Sequence, residues 1–393
     1  MTAYLDHAAT TPMHPRAVEA LVAELGRVGN PSSLHDAGRA SRRVVEESRE
    51  LIAERLGAQP SEVVFTGGGT EADNLAVKGL YWARSVADPR RRRVLVSAVE
   101  HDAVLDPADW LAERAGAVAV RLPVDAVGRV DAGALEAELD AHGDEVALVS
   151  VMWANNEVGA VQPVPEVVAL AAAHGIGVHS DAVQAVGKLP VEFGASGLAA
   201  MTVTAHKLGG PVGIGALLVR RDVVLEPVQH GGGQERGVRS GTLPVPLIRS
   251  FAVAVDQAVR AQPEQARRVA VLRDALVAGV LAAVPDAMLR GPNPDDDGAR
   301  LPGNAHFTFP GCTGEALMML LDRAGMQVST GSACRAGVHE ASHVLLAMGL
   351  SEAEALGAVR FSLGVTSTEA DVDAVVGVIG EVVRRARSAT NAG

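Results

Sequence analysis

Five short apolar runs, each followed by a turn or an amphipathic stretch, organise the first two thirds of the chain. Glu62–Thr66, Arg93–Ser97, Ala147–Trp153, Ile176–Ser180 and Met201–Thr204 are β-branched and continuous rather than alternating. That pattern belongs to strands buried on both faces, as in a parallel sheet. Helical periodicities such as Glu71–Ala83 and Val164–Ala173 lie between them. Strand–helix alternation of this kind predicts an α/β domain with a mostly parallel central sheet. After about residue 250 the character changes. Ser250–Leu281 reads as one long helix, Gly291–Pro302 as a Pro/Asp/Gly-rich loop, and the rest as a smaller α+β domain. The expected division is a large α/β domain over 16–258, with 1–15 and 259–393 forming the small α+β domain.

A chain of 393 residues can bury a sizeable core without disulfide or metal staples. Aromatics are only 3%, so Ala, Val and Leu must do most of the packing. The net charge of −12 argues against general nucleic-acid binding, which needs a basic footprint. The dense basic run Arg90–Arg93 precedes Val94–Val96 and reads as a solvated lead into a strand. Two cysteines, Cys312 and Cys334, cannot build a disulfide framework. Met1–Thr10 has no apolar signal region, and no run is long enough to span a bilayer. A cytoplasmic protein without a membrane or direct nucleic-acid partner is expected.

Four stretches carry chemistry. In Phe65-Thr-Gly-Gly-Gly-Thr70, a strand ends, three glycines follow and a helix opens. Free N–H groups and the helix dipole favour a phosphate there, although a flexible turn with a Thr N-cap has the same pattern. Asp181 ends a buried run, where open α/β sheets bind ligands. A buried carboxylate needs a cationic partner, such as a protonated pyridine nitrogen, and a helix N-cap Asp is the plain alternative. Lys207 follows an apolar strand beside Gly209-Gly210-Pro211. It is either an exposed loop lysine or a buried one able to form a Schiff base. Cys334 sits among Ser, Gly and Ala beside Arg335, a setting that suits a reactive thiolate, whereas Cys312 reads as structural.

Together and in this order, these stretches resemble the NifS/IscS-type cysteine desulfurases of the class V aminotransferase-like, pyridoxal-phosphate-dependent fold type I. The resemblance runs from Tyr4–Pro12 through Gly29–Ser33, Val99–Leu105, Ala154–Gly159, Gly231–Arg236 and Arg239–Pro244 to Arg360–Gly364. It implies that Lys207 carries pyridoxal 5'-phosphate, that His101 stacks on its ring and moves protons, and that Asp181 pairs with its nitrogen. Gln184 and Asn156 are implied near the ring oxygen, and Gly69, Thr70, Thr204 and His206 around the phosphate. Thr242 is implied to complete that cup from a partner subunit, hence a homodimer. Asn30 and Arg360 are implied to grip the substrate carboxylate, and Cys334 to receive the sulfur as a persulfide. The implied reaction turns L-cysteine into L-alanine and passes sulfur to acceptors such as an iron–sulfur scaffold or a tRNA thiolase. Ala205 stands where the family usually has Gly.

Two alternatives share these residues in part. A selenocysteine lyase or an aminotransferase on the same fold would use Lys207 and Asp181 without needing Cys334. His339-Glu340-x-x-His343 matches the zinc metalloprotease pattern, which requires both histidines on one helix face. Ser342 reads instead as an N-cap that leaves His339 and Glu340 outside the helix. No resident metal is expected, although Cys334, His339 and His343 could transiently meet a metal or a cluster.

Overall fold

Each expected apolar run forms a strand, because its Val, Ile and Leu side chains are buried on both faces of a sheet covered by helices. The computed structural model describes residues 2–296, 298–331 and 341–390. Along the chain its strands are β1 (Ala3–Tyr4), β2 (Val63–Thr66), β3 (Arg93–Ser97), β4 (Val118–Leu122), β5 (Val146–Ser150), β6 (Val178–Asp181), β7 (Ala200–Thr204), β8 (Gly215–Val219), β9 (Met288–Arg290), β10 (Asn304–Thr308), β11 (Met326–Gln327) and β12 (Ala358–Ser362).

The seven-stranded sheet has the order β2-β8-β7-β6-β5-β3-β4. The pairs from β7 to β4 are parallel, while β8 is antiparallel to both β7 and β2. This corrects the reading of Glu62–Thr66 as a parallel strand. β2 is fully buried, so its side-chain pattern is continuous whichever way its neighbour runs. The neighbour, β8, returns antiparallel to β7 after the turn that contains Lys207 and inserts between β7 and β2. Two antiparallel steps leave β2 running with β7, so the carboxyl ends of β2, β3, β5, β6 and β7 share one edge of the sheet. Open α/β sheets bind ligands along that edge.

The helix Val245–Ala283 links two cores. Ile248, Phe251 and Val255 pack with the main sheet's core. Val269, Leu272, Leu276 and Val280 pack with Phe307, Phe361 and Ile379 in a second core. The second core is built on the antiparallel sheet β12-β10-β9, flanked by the helices Gly314–Arg323 and Glu369–Thr390. Parallel pairing of β1 with β11, plus a bridge from Asp6 to Ser362, carries the N-terminal segment across this unit towards the edge of the main sheet. Cys312 is buried in the second core, as its structural reading requires. Among the described residues no helix is long and apolar enough to cross a membrane.

Candidate active site

The glycine turn forms as the phosphate reading requires. β2 ends at Thr66, Gly68 has φ +149°, and the helix Gly69–Ala87 begins without a side-chain cap. Its first N–H groups therefore face outward unfilled by any cap, and the helix dipole favours an anion there. A Cβ at Gly69 would meet Val183 Cγ2 at 3.2 Å, so glycine keeps this approach open. Glu71 braces the turn. Its Oε2 accepts from the Gly67 N–H at 2.8 Å, and its Oε1 accepts from Arg239 Nε at 2.6 Å. Arg239 lies three residues before Thr242, so this pair ties the Thr242 loop to the glycine turn. The same loop is anchored at Glu235, which accepts from Arg49 Nη2 and Nη1 at 2.7 and 2.9 Å and from the Phe65 N–H at 2.8 Å. Glu235 and Arg236 hold left-handed φ values of 47° and 58°. That conformation costs non-glycine residues on the order of 1–3 kcal/mol each, so buried anchors must hold it.

Asp181 ends β6 and is buried, with Oδ1 accepting from the Val183 N–H at 2.8 Å. Burial raises its carboxyl above the usual range. Lys207 follows β7 and lines the same cavity. Burial pushes its amine below the ordinary value, against the pull of Asp181. His101 caps the helix Asp102–Ala115, its Nδ1 accepting from the Ala103 N–H at 3.0 Å. That bond places the ring proton on Nε2 in the neutral form. Burial lowers the His101 pKa, which favours this neutral form.

Gly69, Thr70, His101, Asn156, Asp181, Thr204, His206, Lys207 and Arg360 all line one cavity of about 560 Å³. Arg360 is buried on β12, where Nη2 donates to Asp6 Oδ1 at 2.8 Å and Nη1 to the Asn156 carbonyl at 3.0 Å. Its Nε has no hydrogen-bond partner among the described residues. Gln184 stands behind this group and lines an adjoining cavity together with Lys207. Asn30 and Thr242 are exposed and line neither cavity. Asn30 Oδ1 is taken by the Ser32 N–H at 2.9 Å. Cys334, His339 and Glu340 lie outside the described residues. Both ends of the stretch that carries them reach the site, because Ser329, Gly331, Ala341, Ser342 and His343 line its cavity. Ser342 caps the helix His343–Ala347, and residues 341 and 342 are non-helical. A helix carrying both histidines of the metalloprotease pattern would have to run through residues 341 and 342, which are non-helical, and His343 Nε2 lies 2.9 Å from the Glu100 carbonyl.

Beneath the cavity lies a polar layer that sequence reasoning missed. His179 is fully buried between Ser150 Oγ at 2.9 Å and Thr202 Oγ1 at 3.0 Å, with Asp73 Oδ1 at 3.6 Å. Burial pushes His179 down to about 3, so it is neutral. Burial and neighbouring Asp181 raise Asp73, and burial raises Glu100. Asp73 falls four residues after Gly69 and His179 two before Asp181, spacings that fit one strand–helix edge but carry no distinctive motif.

The donor set suits pyridoxal phosphate. An uncapped helix N-terminus meets a phosphate, a buried carboxyl meets a ring nitrogen, and a desolvated amine meets an aldehyde. The chain matches the aminotransferase class-V family model over residues 3–375. It is 58% identical to an IscS-like cysteine desulfurase of Mycobacterium tuberculosis, over 98% of both chains. It is 43% identical to a cysteine desulfurase of Cereibacter sphaeroides, over 98% of this chain and 96% of that one. A solved structure of a NifS-like protein superposes with a TM-score of 0.89 at 35% identity, covering 98% of this chain and 100% of the other. Likeness at this level over nearly the whole length, on the fold and with the cavity just described, makes the chain a member of the class-V aminotransferase family, in its branch of IscS- and NifS-type cysteine desulfurases.

Proposed function

We propose that this protein is a pyridoxal-phosphate-dependent cysteine desulfurase that converts L-cysteine to L-alanine and leaves the sulfur as a persulfide on Cys334. The observation that carries this reading is one cavity lined by a desolvated lysine, a buried carboxyl at a strand end, a neutral histidine and a buried arginine. Pyridoxal phosphate supplies an electron sink for the bonds at the amino acid's Cα when it is bound. The residues do the rest.

Arg360 takes the substrate carboxylate, for which its planar fork is suited. Asn30 is a second carboxylate ligand in this reading, and its exposed amide would have to turn away from Ser32 to serve. Gly69, Thr70, Thr204 and His206 hold the phosphate, and Thr242 adds to that cup across a homodimer. Asp181 holds positive charge at the ring nitrogen, and Asn156 and Gln184 hold the ring oxygen. Lys207, whose burial favours the neutral amine, receives the Cα proton at Nζ. His101, whose neutral ring carries its proton on Nε2, donates that proton to the carbon that loses sulfur. Cys334, as thiolate, attacks the substrate sulfur, so an S–S bond forms as the C–S bond breaks. The outer sulfur keeps its proton as Cys334–S–SH, and the electron pair left on carbon takes the proton from His101 to complete alanine's methyl group. Gly331 lies at the cavity and three residues before Cys334, a reach of up to about 10 Å. A cytoplasmic homodimer that hands sulfur to an iron–sulfur scaffold or a tRNA thiolase fits this chemistry.

The test is L-cysteine turnover by purified protein with a thiol reductant present to release the persulfide sulfur as sulfide, following alanine and sulfide while recording the cofactor's absorbance. Equal yields of both products support the reading. Alanine formed only when a keto acid is present, without sulfide, would establish an aminotransferase instead.

A further inference from the structure

Lys188, a part-buried lysine beside the site, has no task in the reaction proposed above. Downstream of Asp181 the chain turns at Gly187, whose φ is +74°. A Cβ there would lie 2.9 Å from Ala258 Cβ and 3.1 Å from Leu208 Cδ2, so only glycine suits this turn. The next residue, Lys188, donates from Nζ to Gln184 Oε1 at 2.6 Å. Its own carbonyl accepts from Gln262 Nε2 at 3.1 Å, which fixes the backbone against the long helix. Its side chain lines a cavity of about 410 Å³ that also touches Lys207, His7 and Gln184.

The charges around Lys188 are mostly of its own sign. Burial, with Lys207 and Arg360 nearby, pulls its amine down to about 7. It acts in turn on His7 and His206, both of which burial lowers to about 4. The carboxyls that bear on this group do so through Lys207 and His7: Asp181, Asp73 and Asp6 act on the former, Asp371 on the latter. Among the described residues no carboxylate bonds Lys188 directly, and a lysine so held is costly unless its charge or its bond is used.

Both are used if the target is the lysine–glutamine pair. With Oε1 occupied by Lys188, the Gln184 amide presents Nε2 on its other side. Nε2 donates one hydrogen to the Ala8 carbonyl at 2.9 Å and keeps a second for an acceptor in the cavity that Gln184 lines with Lys207. A cation near a reactive lysine disfavours that lysine's protonated form, one of the known ways to activate such an amine. We propose that Lys188 is a positioning residue of the reaction centre, fixing the Gln184 amide through its Oε1 and holding a second positive charge beside Lys207. This rests on Lys207 being the cofactor lysine.

The experiment is a pH titration of the visible absorption of the cofactor-loaded protein, for wild type, Lys188→Met and Lys188→Arg. Met keeps the stem volume but removes charge and donor, and Arg restores both. The Lys188→Met midpoint is expected to move up by about half a unit or more, as loss of a nearby like charge requires, with Lys188→Arg returning towards wild type. An unmoved midpoint in a folded, loaded Lys188→Met protein would overturn the proposal. If Lys188→Met does not fold, Lys188→Gln against Lys188→Arg decides: a midpoint raised only in Gln supports it, equal midpoints overturn it. A wild type with no titrating cofactor band would overturn the reading of Lys207 and this inference with it. An unmoved variant beside a titrating wild type overturns the inference alone.

Discussion

Asp6 and Arg360, 354 positions apart, meet at 2.8 Å across the edge of the small sheet. Asp6 comes from the N-terminal segment and Arg360 from β12, so the guanidinium is aimed by two elements at once. Its Nε is buried without a partner among the described residues, while Nη1 is held by the Asn156 carbonyl. A substrate carboxylate arriving at this group gains charge-assisted hydrogen bonds, each worth about 1.5–3 kcal/mol. Lysine at this position keeps the charge and loses the planar fork. Arg360→Lys is therefore expected to raise KM for L-cysteine by roughly tenfold to a hundredfold, with a smaller change in kcat. Steady-state kinetics on cofactor-loaded protein checks this. An unchanged KM would remove Arg360 from substrate binding.

Lys207 and Cys334 are assigned different halves of the reaction, so their variants should fail differently. Lys207→Ala is expected to lose turnover and also the covalent attachment of the cofactor. After borohydride reduction, the cofactor's mass should appear on the wild-type peptide containing Lys207 and nowhere in the variant. Cys334→Ala is expected to keep the cofactor's absorbance while sulfide release from L-cysteine falls to background. Turnover of Cys334→Ala at the wild-type rate would mean that sulfur never passes through this thiol.

Much of this arrangement is legible in the chain. Val164–Ala173 is a helix over the span that its periodicity predicts, and Arg93–Ser97 is a strand over its predicted span. Asp181 and Lys207 stand at strand ends because continuous apolar runs stop just before them. What the chain hides is partner choice. β8 hides because a strand buried on both faces has the same pattern whichever way its neighbours run. Asp6 and Arg360 hide because nothing local marks a contact across 354 positions. His179 reads as one more polar residue at a strand end until Ser150, Thr202 and Asp73 are seen around it. Lys188 left a trace, a lone lysine in Ala185-Val-Gly-Lys-Leu189, but its direction is set by the Gly187 turn.

The neutral His179 makes a pH prediction with a definite sign. Its folded pKa, about 3, lies below the ordinary value of about 6.5. Between these values the unfolded chain binds a proton that the folded one refuses. Stability from this group is thus complete above about pH 6.5 and is lost as pH falls towards 3. Buried Asp73 and Glu100 have raised pKa values and act in the opposite sense, favouring the folded state at lower pH and costing stability as pH rises. Replacing His179 by Gln retains hydrogen-bonding capacity towards Ser150 and Thr202 and removes the titration. His179→Gln is expected to melt at a lower temperature than wild type at pH 7, with a shallower further loss between pH 6.5 and 4. Parallel Tm–pH curves for the two proteins would show that His179 does not contribute to acid unfolding.

Ala205, just ahead of Lys207, makes a final prediction about the turn that carries it. Ala205 is fully buried, and its methyl occupies space that Gly210 leaves free. A Cβ at Gly210 would lie 2.9 Å from Ala205 Cβ, 3.0 Å from the Ala205 carbonyl and 3.1 Å from Ala254 Cβ. The turn is also closed by the Gly210 N–H donating to the Ala205 carbonyl at 2.9 Å, so the two residues cannot simply move apart. Gly210→Ala is therefore expected to destabilise by about 1–3 kcal/mol, the usual cost of overpacking. Adding Ala205→Gly removes the methyl–methyl clash but leaves the carbonyl contact, so the double variant should recover only part of the loss. Because the two sites touch, their effects should couple rather than add. Denaturant unfolding of the two single variants and the double variant measures that coupling. Strict additivity would mean that the Ala205 methyl and the Gly210 backbone do not share this space.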